Sequence, residues 1–130
     1  DYLVPLAKRM RKRDFKVFTV GNGFDALNIL KDEPIDVVVL DIKMPGMDGN
    51  QVLKEIKDKF PLIEVIMLTG HADMDIALEV MEHGAFDYLT KPIDFDELIY
   101  KIQDALKKKK IMEAKIYHER EEKGEDISNL

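Results

Sequence analysis

Three polar residues stand directly behind apolar runs in this chain. Asp41 follows Val37–Leu40, Thr69 follows Ile63–Leu68, and Lys91 follows the short run Phe86–Thr90. A carboxylate, a hydroxyl and an ammonium form a coherent set for phosphoryl transfer. The carboxylate is a nucleophile able to form an acyl phosphate. The ammonium, with a divalent cation, offsets charge on the phosphoryl oxygens. The hydroxyl can donate a hydrogen bond to one of those oxygens only when the group is attached, and that difference between states is what a switch requires. Each residue also has a plainer reading. Asp41 could cap a turn, Thr69 could cap a helix, and an isolated lysine is usually solvated. The set gains meaning only if the fold gathers it.

The elements supply that condition. Leu3, Leu6, Ala7 and Met10 lie at helical spacing, and the basic run Lys8–Arg13 suits a helix C-terminus, so residues 2 to 13 read as a helix. Phe15–Val20 reads as a strand, broken by Gly21-Asn22-Gly23. A short helix through Ala26–Leu30 ends near Pro34. Ile35–Asp41 is nearly continuous apolar sequence, as in a strand covered on both faces of a parallel sheet. The loop Lys43–Gly49 leads to a helix over Asn50–Lys59. The cycle then repeats: strand Ile63–Leu68, helix Asp73–His83 stopped by Gly84, strand Phe86–Thr90, helix Asp94 to about Lys110. Alternating strands and helices imply right-handed parallel crossovers and an open α/β sheet. In such sheets function gathers outside the carboxyl ends of the strands, where Asp41, Thr69 and Lys91 fall.

Bulk properties narrow the classes. The 130 residues suit one domain, and 45% hydrophobic composition can build a core. A net charge of −6 argues against a nucleic-acid-binding surface over the whole chain. Without cysteine there is no disulfide or thiolate chemistry. No apolar run approaches the roughly 20 residues that span a bilayer, and the opening Asp1-Tyr2 followed by basic residues is unlike a signal peptide. A cytoplasmic location is expected, and the chain is expected to start inside a longer polypeptide because it does not open on Met.

The segment Val37–Gly49 resembles the phosphorylation-site region of response-regulator receiver domains. Ile66–Gly70 resembles their switch-threonine segment, and Gly84–Pro92 resembles their lysine segment. The likeness covers residues 1 to 108 and implies a flavodoxin-like α/β fold, an open parallel sheet with helices on both faces in strand order 2-1-3-4-5. It implies that Asp41 accepts phosphate from a histidine kinase or phosphotransfer protein, that Lys91 pairs with the phosphoryl group or with Asp41, and that Thr69 and Tyr88 switch together. It further implies Mg²⁺ held by Asp41 and the backbone carbonyl of Lys43, and a cis Lys91-Pro92 bond. Gly70, where many receivers carry alanine, resembles receivers of activator-type transcriptional regulators or hybrid kinases.

The family's first strand, and the acidic pair that ends it and binds Mg²⁺, are absent from these residues. That strand would lie between the Phe15 and Ile35 strands. Its absence should leave two strand edges unpaired around a slot in the core, at about 1–3 kcal/mol per unsatisfied backbone group. An upstream strand ending in acids is the expectation; a strand from another chain or a swapped segment, or a rearranged sheet, is the alternative. The alternative function is a phosphate-independent pseudo-receiver that acts as a protein-interaction module. A flavin carrier shares the fold class but would need a glycine-rich phosphate loop after a first strand.

Other residues have bland readings. Asp48 reads as a loop or helix-start carboxylate, and His71, His83 and His118 as surface residues. His71 lies near enough to Asp41 in the likeness to tune phosphate lifetime. Residues 109 to 130 read as a charged helical extension or linker with a disordered tail. The stripe Leu98, Ile102, Ala105, Met112 and Ile116 permits a homodimer through the last helices. No direct nucleic-acid or membrane contact is expected of this domain.

Overall fold

The structure, a computed structural model, describes residues 3–44, 46–70 and 74–124. Helices α1 (Leu3–Lys12) and α2 (Gly23–Asp32) precede strand β1 (Val37–Asp41). Then follow α3 (Gly49–Lys59), β2 (Glu64–Thr69), α4 (Met74–Glu82), β3 (Asp87–Thr90) and α5 (Phe95–Glu122). The sheet is parallel in the order β1-β2-β3, with Asp41 beside Leu68 and Thr69 beside Thr90.

The starts of α2, α3 and α5 are written locally. Asn22 caps α2 by accepting from the Asp25 N–H, and Asp94 caps α5 by accepting from the Glu97 N–H. Asp48 and Gln51 form a reciprocal capping box at α3, so Asp48 is the helix-start carboxylate expected. Gly84, at φ +98°, follows α4 in a left-handed conformation that a side chain would resist.

β2 is the buried centre. Its six residues are all buried, with Val65 and Met67 in one core and Ile66 and Leu68 in the other. Alternation along a strand delivers successive side chains to opposite faces. The first core takes Leu30, Leu40, Val52, Leu53, Ile56 and Val80; the second takes Leu89, Leu98, Ile102 and Ala105. At the foot of β2, Glu64 is buried between Lys57 (3.5 Å) and Lys108 (3.1 Å). The Lys108 contact lacks the alignment of a hydrogen bond, leaving Oε2 held by charge alone.

The strand expected over Phe15–Val20 does not form. Phe15 N–H donates to the Met10 carbonyl (3.3 Å), and the Val17 carbonyl accepts from Arg11 Nη2 (2.9 Å). Among the described residues no hydrogen bond joins this segment to β1. A strand needs a ladder partner, and a slot of about 790 Å³ occupies the partner's place. Phe15–Gly21, all five residues of β1, and side chains of α1, α2 and α5 line it. The expected unpaired edge and core slot are therefore present. The three strands correspond to the 3-4-5 end of the expected order; its 2-1 end is not built. β1 is accordingly half-exposed over Val37–Val39.

α5 runs 28 residues, about 42 Å at 1.5 Å per residue, past Lys110 and into the helical extension expected over residues 109 to 130. Ile111 and Tyr117 are exposed on its distal half. The tail from residue 125 lies outside the described residues.

Candidate functional site

The three parallel strands end at one rim, and the predicted residues meet there. Asp41 is the last residue of β1 and Lys91 directly follows β3. Lys91 Nζ lies 2.5 Å from Asp41 Oδ2, across 50 residues of sequence. Asp41 Oδ1 accepts from the Lys43 N–H at 3.1 Å. Both Asp41 and Lys91 keep some solvent access, with side chains 19% and 33% exposed, so an incoming group can reach them. The Lys91-Pro92 bond is cis, as expected.

Thr69 closes β2 and is buried; its hydroxyl donates to the Leu89 carbonyl at 3.5 Å. Tyr88 is half-buried and packs against the core that contains Val80 and Ala85. The two lie on neighbouring strands, with Tyr88 opposite Met67 and Thr90 opposite Thr69. His71 lies outside the described residues. His118 pairs with Glu122 on the distal part of α5, far along the chain from the strand ends.

Two features were not singled out in the sequence. Gly49 permits the loop after Asp41 to close: its N–H donates to the Ile42 carbonyl at 2.7 Å, and a Cβ there would collide with the Asp41 carbonyl oxygen and Ile42 Cα. The Gly after Met44–Asp48 was legible, but its steric role needs the loop folded back on β1. The second is a bracket between α3 and α4. Asn50 Nδ2 donates to Glu79 Oε1 (2.7 Å), and Asn50 Oδ1 faces His83 Nδ1 (2.9 Å). With the amide oriented by Glu79, the imidazole nitrogen must be the donor. The bracket borders a cavity of about 590 Å³ lined by Ile42, Lys43, Met44, Asp48 and Ile76. Contacts 29 and 33 residues apart leave no local sequence signal.

A family model described as the response regulator receiver domain matches residues 3–103. The chain belongs to the response regulator receiver family. The receiver is 44% identical over 88 residues to the "DNA-binding transcriptional regulator NtrC" of Escherichia coli K12, covering 68% of this chain and 19% of that protein. It is 36% identical over 108 residues to "Regulatory protein LuxO" of Vibrio cholerae, covering 83% of this chain and 22% of the relative. The crystal structure of the receiver domain of NtrX from Brucella abortus superposes with a TM-score of 0.74 at 31% identity, over 78% of this chain and 87% of that one. The chain thus spans about a fifth of the length of the curated relatives it matches.

Receiver domains use Mg²⁺ at the phosphorylation site. The residues present do not fit that ion. Mg²⁺ favours octahedral oxygen coordination with carboxylates close by. The donors expected here are the Asp41 carboxylate, already paired with Lys91, and the Lys43 carbonyl. Among the described residues no cluster of three histidines or carboxylates could hold a metal. No step below is routed through a metal. Among the described residues, no helix is long and apolar enough to cross a membrane.

Proposed function

We propose that Asp41 is the phosphate acceptor of this two-component receiver, in a cytoplasmic signalling protein, with a histidine kinase or phosphotransfer protein as donor. The observation that supports this most directly is Lys91 Nζ on Asp41 Oδ2, an ammonium from a different strand placed against the nucleophile. An Asp41 oxygen attacks phosphorus, the bond from phosphorus to the donor's histidine nitrogen breaks, and the imidazole keeps the electron pair. Lys91 then offsets charge on the new acyl phosphate. Thr69 exchanges its long bond to Leu89 for one to a phosphoryl oxygen, and Tyr88 moves into the space released. The domain promotes only its own phosphoryl uptake and loss. Were further carboxylates to stand beside Asp41, Mg²⁺ held there would offset charge on the phosphoryl oxygens.

We assign residues 1 to 108 to the receiver and 109 to 130 to a connecting extension. The likeness to a DNA-binding regulator supports an output of that kind, controlled through α5, with no nucleic-acid contact by the receiver itself. A homodimer through the last helices is supported by the exposed Ile111 and Tyr117; sedimentation with and without a phosphate mimic checks it. Neither the family match nor the relatives favour the phosphate-independent reading.

The test is labelling of the full-length polypeptide with acetyl phosphate in the presence of Mg²⁺, read by intact-mass spectrometry. One phosphoryl adduct is expected, absent in Asp41→Asn and retained in Asp48→Asn. An adduct that survives Asp41→Asn sinks the assignment.

A further inference from the structure

The distal half of α5 carries an apolar face turned away from the receiver. At about 100° per residue, Ala114 falls roughly 180° round the helix from Ala105 and roughly 160° from Leu98, both buried in the core. Ile111 and Tyr117 flank Ala114 on that outer face, 63% and 45% exposed. Lys107, Lys110 and Glu121 continue it, and all are exposed. Four residues from each of these charges stands an apolar side chain: Ile111 after Lys107, Ala114 after Lys110, Tyr117 before Glu121. The face therefore offers its own charges no i,i+4 partner. The neighbouring lysines are engaged elsewhere, Lys109 on Asp36 and Glu113 and Lys108 on Glu64.

Along this face the order is basic, apolar, acidic, and it is close to symmetric about Ala114. Ile111 and Tyr117 lie three residues before and after it; Lys107 and Glu121 lie seven before and after it. We propose that the face seats the same face of a second copy running antiparallel about Ala114, a direction that rests on the homodimer through the last helices. A two-fold contact makes every pair twice. Lys107 of each copy lies level with Glu121 of the other, and Ile111 of each with Tyr117 of the other. The two Ala114 methyls meet at the axis, where small side chains let the helices approach. A parallel pair on the same face would set Lys107 against Lys107, Lys110 against Lys110 and Glu121 against Glu121, like charges that disfavour that direction. The overlap of residues 107 to 121 is about 21 Å of helix. Because the face points away from the core, the acidic end of each copy can run back beside Lys107 of the other. Tyr100, on the same side of α5, is exposed and leaves that path open. Met112 and Ile116 instead continue the side of Leu98 and Ala105, where the receiver itself obstructs a helix running back.

Sedimentation equilibrium of the 130-residue chain, with and without a phosphate mimic, reads whether a dimer forms. A monomer in both conditions overturns the homodimer and its direction together. Direction is read separately by thiols, which report cleanly because the chain has no cysteine. Lys107→Cys and Glu121→Cys are brought to equilibrium in a glutathione redox buffer, each alone and mixed. The mixture should hold at least about tenfold more disulfide dimer than either variant alone, since only unlike positions are held together. As much disulfide in Lys107→Cys alone assigns a parallel pair, which overturns the direction and leaves the homodimer standing. Charge reversal gives a second reading. Lys107→Glu should weaken the dimer roughly tenfold, because two attractions become repulsions. Adding Glu121→Lys to it should restore the wild-type dissociation constant. A parallel pair would exchange like charges for like, so a dimer unmoved by Lys107→Glu also overturns the proposal.

Discussion

At Gly49 a single hydrogen atom in place of a side chain lets the loop return to the end of β1. Any Cβ would press on the Asp41 carbonyl oxygen and Ile42 Cα, and both are backbone, so neither can swing away. Gly49→Ala should therefore cost about 1–3 kcal/mol, the range for forced overpacking, measured by urea denaturation. The substitution should also lower acetyl-phosphate labelling, because the strand end that carries Asp41 must shift. Asp41 and Lys91 follow a different logic. They meet because β1 and β3 end at one rim on either side of β2. Asp48, close in sequence, is held by the Gln51 N–H at 2.9 Å in its capping box, which is why its replacement serves as the control.

At the scale of elements, α4 is tied to α3 by Asn50. Removing that amide deletes bonds to Glu79 and His83 together while leaving the apolar contacts of Ala77 and Val80. Asn50→Ala should lower stability by only about 0.5–1.5 kcal/mol but speed amide exchange over α4 several-fold, read by exchange mass spectrometry. If α4 exchanges unchanged, the bracket does not restrain it. α5 is anchored differently. Lys109 reaches back to Asp36 ahead of β1 (2.9 Å) and along the helix to Glu113 (3.0 Å). Burial pulls its pKa down, but the hydrogen bonds to Asp36 and Glu113 outweigh burial and leave it raised above 10.5. A raised folded-state pKa means the contribution is complete below the unfolded value and fades as pH climbs through the folded one. Wild type should therefore lose stability relative to Lys109→Met as pH climbs above about 10.5, and hold a constant advantage between about pH 7 and 10, in urea titrations across that range.

Among the described residues, one side of the sheet is finished by β3 and the other borders a slot of about 790 Å³. An open apolar slot binds hydrophobic dyes in the manner of incompletely packed states. The 130-residue chain should enhance anilinonaphthalene sulfonate fluorescence at neutral pH while showing native helix content by circular dichroism. Dye binding no greater than that of a closed globular control would show that the Phe15 segment collapses onto β1 in solution. The same slot separates the two levels of function. The pair of Asp41 and Lys91 is assembled by β1 and β3 around β2 and needs nothing from the open side. The metal donors are a different matter, because the described residues bring no second carboxylate to Asp41.

Much of this was legible before any tertiary contact was known. The helix starts at Asp48 and Asp94, the apolar runs of β1 and β2, and the positions of Asp41, Thr69 and Lys91 at strand ends all follow from local chemistry: caps, turns and periodicity act over a few residues. The same local rules read Phe15–Val20 as a strand, and there they failed. A strand is defined by its neighbour, and the neighbour is not among these residues. The charged helical extension read past Lys110 continues to Glu122 on good helix formers and i,i+4 pairs such as Lys109 with Glu113. What only the tertiary structure decided was closeness with no local signal: Asn50 against Glu79 and His83, and Gly49 against the β1 backbone. These depend on how crossovers stack strands side by side, which is a property of the packed sheet and of no single stretch of sequence.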